Sequence, residues 1–144
     1  MSGAKSLLLL FTLLIGFGAF TGCSTQDASH LPLMPLDQMP AEIQSAPSVV
    51  QTAYRFAAAN PELMQQIPCY CGCGSIGHTS NYACYIAGKD ANGALIFDAH
   101  ALGCSICVDI TLDAMRLQEQ GKSPQEIKAY IDRIYSKFGP SNMP

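Results

Sequence analysis

Apolar residues recur at helical spacing in separate stretches of this chain, and the polar residues between them read as caps and turns. Val50, Ala53, Tyr54 and Ala57 share one face of a helix that Ser48 can cap and that runs to about Asn60. Asn60-Pro61-Glu62 is a second start signal, with a capping residue, a proline at the first helical position and an acid in the first turn. The short helix it opens, Pro61 to Ile67, leads into a cysteine-rich loop. Asp98 can cap a helix continuing to Gln120, which Gly121 closes. On that helix Asp109, Asp113, Arg116 and Gln120 form a polar stripe. Opposite it, His100, Cys104, Cys107 and Thr111 fall within an arc of about 60°. Val108, Leu112 and Met115 flank this arc on one side, Ile110 and Ala114 on the other. Gly103 inside the helix costs about 1 kcal/mol against alanine; the alternative is that Gly103 marks the true start and leaves His100 in a loop.

Ser123-Pro124-Gln125-Glu126 carries a cap, a first-turn proline and a capping-box acid. Ile127, Ile131, Ile134 and Phe138 then repeat as a buried stripe until Gly139-Pro140 ends the helix. Joined only by Gly121-Lys122-Ser123, the last two helices must pack as a hairpin. Tyr54, Tyr130 and Tyr135, at helical spacing, are expected in the core. Residues 75–97 have the weakest pattern: Asp90-Ala91-Asn92-Gly93 reads as a turn and Ala94 to Phe97 as a very short strand. The expected fold is mostly α, a small domain of about four helices closed over a Cys-rich loop, after a signal peptide and a flexible tether.

The start of the chain supplies the address. Lys5 precedes an apolar run from Leu7 to Phe20 that is too short and Gly-broken for a comfortable membrane span. Phe20-Thr21-Gly22-Cys23 resembles a lipobox, with phenylalanine an unusual first residue; an uncleaved anchor helix is the alternative. The expected division is 1–22 lipoprotein signal peptide, 23–47 lipidated N-terminus and tether, 48–139 Cys-rich domain and 140–144 tail. Lipid (palmitate) on Cys23 would anchor the protein to the extracytoplasmic face of a bacterial membrane, in the cell envelope. The tether would hold the domain roughly 25 Å away from that surface. His30, Met34 and Met39 lie in the tether and read as ordinary linker residues rather than ligands. The formal charge of −3 becomes −4 once Lys5 is removed, and no basic stretch remains, which excludes a nucleic-acid binder.

Of seven cysteines, lipidation of Cys23 leaves six: Cys69, Cys71, Cys73, Cys84, Cys104 and Cys107. Three of them fall in Pro68-Cys69-Tyr70-Cys71-Gly72-Cys73-Gly74, where Pro68 ends the preceding helix and the glycines let the backbone wrap tightly. A straight strand would aim the three sulfurs to one side; a glycine-kinked loop would curl them round a common centre. With Gly77-His78, Asn81-Tyr82-Ala83-Cys84 and the segment Asp98 to Cys107, this loop resembles the bacterial lipoproteins named for their PCYCGC motif, over about Ser48 to Phe138. The resemblance implies an exported, cysteine-rich, metal-binding protein and says little of activity.

Six thiols and the imidazoles of His78 and His100 suit soft or borderline ions. Cys104 and Cys107 near a helix N-terminus are placed for lowered thiol pKa values. One tetrahedral Zn(II) takes four ligands and leaves donors over, whereas several Cu(I) ions sharing sulfurs would use all six thiols, so Cu(I) is expected ahead of Zn(II). Three disulfides form the structural alternative: bonding within C-x-C is strained, and Cys69, Cys71 and Cys73 have three cysteines left to pair with. A thiol–disulfide oxidoreductase built on Cys104 and Cys107 is a third reading, without the preceding βαβ pattern that supports it. Covalent haem is disfavoured because Val108 follows Cys107, and no nucleophile triad, phosphate loop or carboxylate pair is visible. The sequence thus reads as a non-enzymatic metal-binding protein for sequestration, delivery or sensing. Its partners are the membrane, metal ions and, as a candidate, another metal-handling envelope protein.

Overall fold

A computed structural model describes residues 31–143. The expected signal peptide and lipobox with Cys23, and His30, lie outside the described residues. Within them, five α-helices pack around one core and carry a single two-stranded sheet. The mostly helical fold expected from the apolar periodicity is the fold present. No helix among the described residues is long and apolar enough to cross a membrane.

The packed domain begins earlier than Ser48. A 3-10 turn, Leu36–Gln38, and helix α1, Ala41–Gln44, lie within the stretch expected to be tether. Met39 and Ile43 are 4% and 2% exposed, so they are core residues. Arg55 fastens this segment: its backbone carbonyl accepts from Met34 N–H at 3.0 Å and its Nε donates to Met34 O at 2.7 Å. Asn60 adds a bond from Nδ2 to Pro32 O at 2.9 Å. Sequence period misses such a segment because its helical turns are three and four residues long, too short to show a repeat.

Helix α2, Ser48–Ala59, buries Ala53, Tyr54, Phe56, Ala57 and Ala58. Pro47, not Ser48, occupies its N-cap, and Ser48 is already helical. Helix α3, Pro61–Met64, starts where the proline signal puts it but stops one turn on, before Ile67. The side chain of Asn60 makes no cap bond, because its amide is used by Pro32 and Phe56. The stretch with the weakest pattern contains an antiparallel hairpin, β1 (Ile86–Lys89) with β2 (Leu95–Phe97). Asp90 Oδ1 accepts from Asn92 and Ala94 N–H and so shapes its turn.

The helix expected from Asp98 to Gln120 is broken. His100–Leu102 is a separate 3-10 turn, Cys104 is the N-cap, and α4 runs Ser105–Glu119. Gly103 therefore marks the junction, and the arc calculated for one continuous helix does not describe His100. Within α4, Ile110, Thr111 and Ala114 are fully buried, while Asp109, Arg116 and the following Gln120 are exposed. Helix α5, Pro124–Tyr135, begins with the full Ser123/Glu126 capping box. It buries Ile127 and Ile131 completely, but the stripe fades at half-buried Ile134 and exposed Phe138, which sits in a terminal 3-10 turn. Tyr54 and Tyr135 are buried as expected; Tyr130 is half-buried, with Arg116 and Arg133 over its ring. Helices α2 and α5 each pack against α4, the helix whose Cys107 meets the cysteine loop.

Candidate metal centre

The C-x-C-x-C loop is curled, not straight. Gly72 has φ 86° and Gly77 φ 93°, left-handed values that favour glycine, and between them Cys73–Ile76 makes a 3-10 turn. Just before this curl, Cys69 Sγ lies 3.4 Å from Cys71 Sγ. The first turn of α4 brings Cys107 Sγ to 3.5 Å from Cys69 and 3.6 Å from Cys71. A 3-10 turn, Tyr82–Cys84, places Cys84 Sγ 3.5 Å from Cys73. His100 brings Nε2 to 3.4 Å from Cys71 Sγ. Cys69, Cys73, Cys84 and Cys107 are buried; Cys71 and Cys104 are half-buried.

All eight donors named from the sequence meet in one place. They form four sets whose ligand atoms lie within 4.8 Å of one another: Cys71–His100–Cys104–Cys107, Cys73–His78–Cys84–His100, Cys69–Cys71–Cys73 and Cys69–Cys84–Cys107. The six cysteines are all free. With metal–sulfur bonds of about 2.3 Å, sulfurs on one tetrahedral ion are about 3.8 Å apart. The observed spacings of 3.4–3.6 Å are close to that edge. They do not sort into disulfide pairs, since Cys69, Cys71 and Cys107 are mutual neighbours.

His78 gives a second sign of a ligand. Its Nδ1 is buried with no hydrogen-bond partner, while its Nε2 lies 3.5 Å from Asp98 Oδ2. A carboxylate beside one ring nitrogen favours the proton there and leaves the other nitrogen's lone pair for a metal. An orphaned buried nitrogen is costly unless something occupies it, and the residues present therefore fit a metal. Asp98 also accepts from the backbone N–H of His100 on Oδ1 at 2.7 Å, so one carboxylate faces the ring of His78 and caps the turn that carries His100. The two rings meet edge to face, 5.1 Å between centroids.

Electrostatics in the cluster are those of thiols sharing little negative charge. Hydrogen bonds from Cys107 and then Cys84 hold the Cys69 thiol well below its ordinary range. Burial, then the Cys69 charge, push Cys71 and Cys73 up. The bonds to Cys69 and Cys84 raise Cys107. At Cys84 a bond from Cys107 pulls downward, but its bond to Cys69, burial and neighbouring charge win. Metal binding must therefore displace protons.

This donor set sits on the Pro68–Cys73 loop, and a family model built on that motif, "Protein of unknown function with PCYCGC motif", matches residues 17–143. The chain belongs to the PCYCGC family. No curated protein and no solved structure matches it.

Several residues outside the PCYCGC loop support it. Asn142 lies in the stretch expected to be a loose tail, yet its Oδ1 accepts from Cys69 N–H at 2.7 Å and its N–H donates to Cys69 O at 3.0 Å. Its Nδ2 lies 3.5 Å from Cys73 Sγ. Gly139 allows this docking, because a Cβ there would stand 2.9 Å from Tyr70 O. Beneath α4, Tyr85 Oη donates to Cys107 O at 2.8 Å and Asn81 Nδ2 at 3.3 Å. Thr111 Oγ1 lies 2.7 Å from both Tyr85 Oη and Asn81 Oδ1. Burial pushes the Tyr85 phenol well above its ordinary value, so it remains a neutral donor. The sequence singled out Thr111 on the Cys/His arc, Gly139 as a helix end and Asn81 within a segment shared with the family; Tyr85 and Asn142 carried no signal.

Proposed function

We propose that this is a lipid-anchored, extracytoplasmic metal-binding protein that holds Cu(I) for sequestration, delivery or sensing, and that it is not an enzyme. The observation that carries this reading is donor sharing: every thiol except Cys104 belongs to two of the four ligand sets. Thiolate sulfur bridges soft ions, and clustered thiolates select Cu(I) or Zn(II) over hard cations. A single Zn(II) would use one set of four and leave the remaining donors idle. The orphaned nitrogen of His78 supports a metal of either kind. Anchoring through Cys23 follows from the apolar run ending at Gly22-Cys23, and it places the cluster in the envelope, where a second metal-handling protein is the natural partner.

The test is the metal content and free-thiol count of protein isolated from its own compartment without exposure to air. Copper with six thiols that alkylate rapidly only after a Cu(I) chelator is added is the expected result. A metal-free chain whose denatured, unreduced mass lies six hydrogens below the all-thiol mass would establish the disulfide-stapled module instead.

A further inference from the structure

The four ligand sets are connected in a particular way. Every two of them share one donor: His100, Cys71, Cys107, Cys73, Cys84 and Cys69 are the six shared residues. Five of the six are cysteines, whose sulfurs can bridge two ions, so the four sets lie at the vertices of a tetrahedral cage bridged along five edges and open along the sixth, where His100 serves one ion or the other. We propose that the protein assembles a single four-copper Cu(I)–thiolate cage, one ion at each set, with five cysteines as bridges and with Cys104 and His78 as terminal ligands. This deepens the Cu(I) reading and rests on it.

The donor arithmetic closes. Cys69, Cys71, Cys73, Cys84 and Cys107 each serve two sets, and Cys104 and His78 serve one each. Each of the four ions then has three ligands, a coordination number that Cu(I) accepts and that leaves Zn(II) short of its usual four. His100 is a surplus donor in two sets that hold four members each, so it can complete either one. With metal–sulfur bonds of about 2.3 Å, sulfurs on a three-coordinate ion stand about 4 Å apart, inside the 4.8 Å that bounds every set. Four Cu(I) and six thiolates leave a net charge of −2 on the cage. Cys104 at the N-cap and Cys107 in the first turn lie at the positive end of α4. Asn142 Nδ2 faces Cys73 Sγ. No oxidation or reduction is involved: each ion enters as Cu(I) and each thiol leaves its proton to water.

The experiment is anaerobic titration of the full chain with Cu(I) held by a coloured chelator, read by native mass spectrometry and by X-ray absorption at the copper edge. The wild type should pass from the metal-free to the four-copper form with little of the intermediate forms, and should show copper–copper scattering. Cys104→Ser and His78→Gln should each still hold four, because His100 substitutes. The double variant should lose one, since His100 cannot complete both sets. Cys69→Ser, which removes the edge common to the two all-cysteine sets, should lose the cooperative four-copper form. Circular dichroism of the metal-free variants checks that they fold, and the Cys104/His78 series stands even where Cys69→Ser does not. Saturation at one or two ions, or a double variant that still holds four, would overturn the cage alone. A wild-type chain taking up no Cu(I) would overturn the function on which it rests.

Discussion

Asn142 and Cys69 are held together by a reciprocal pair of hydrogen bonds across 73 residues of chain, at 2.7 Å and 3.0 Å. Asn142→Ala leaves the N–H of buried Cys69 without its acceptor, at a cost of about 1–3 kcal/mol. Thermal unfolding of the metal-free protein should show the loss, and the variant should release copper to a chelator sooner than the wild type. Gly139→Ala should act in the same direction, because its Cβ would press on Tyr70 O. Wild-type melting and copper retention in both variants would mean that the C-terminal residues do not brace the loop.

Asp98 lies beside the ring of His78 and accepts from the backbone N–H of His100, and Asp109 faces solvent on α4. Asp98→Asn should weaken metal binding by about 10- to 100-fold, the usual effect of removing a carboxylate behind a ligating histidine. Asp109→Asn should leave binding unchanged. Competition titrations against a chelator of known affinity measure both, and equal effects would show that Asp98 does not orient ligands.

The response to pH should differ in sign between the loaded and the metal-free protein. Cys71, Cys73, Cys84 and Cys107 are raised above the ordinary thiol value of 9.0. Their stabilisation of the metal-free fold is complete below that value and is lost as pH rises through the raised values. Cys69 is lowered, so its contribution is present above 9.0 and is lost as pH falls. The four outnumber the one, and the chelator-stripped protein should melt at lower temperature as pH rises above 9.0. Metal loading reverses this, because protons compete for the ligands and release the metal as pH falls. Melting curves of both forms across that range are the check; parallel curves would contradict it.

Exposure orders the thiols. Cys71 and Cys104 are half-buried and the other four are buried, and Cys104 lines an open hollow of about 300 Å³ with Val49, Val50 and Leu102. Brief alkylation of metal-free protein, mapped by peptide mass, should mark Cys71 and Cys104 first. Early labelling of Cys84 or Cys107 would mean that the cluster opens as a unit.

For the anchor, Cys23→Ala should release the protein from the membrane fraction or block its processing. An unchanged membrane fraction together with an unchanged mass would end the lipoprotein proposal.

Local chemistry was legible in the chain. The Ser123/Glu126 box, Pro61 at a helix start, the Gly72 curl and the apolar face of α2 all depend on residues within a few positions of one another, so their spacing alone specifies them. That six thiols and two imidazoles are candidate donors was legible too, because such residues are rarely found at such density without a shared role. Their sharing was not. Cys69 meets Cys107, and Cys73 faces Asn142, across gaps of 38 and 69 residues. Those distances follow from how α4 docks on the loop and where the C-terminus returns. Gly103 shows the same limit: helical period extended α4 through it, and only the packing of the 3-10 turn at His100 decided the break. Burial of Asn81 and Thr111 against Cys107 is likewise a property of the closed core, where an unpaired polar group costs more than any local preference can offset.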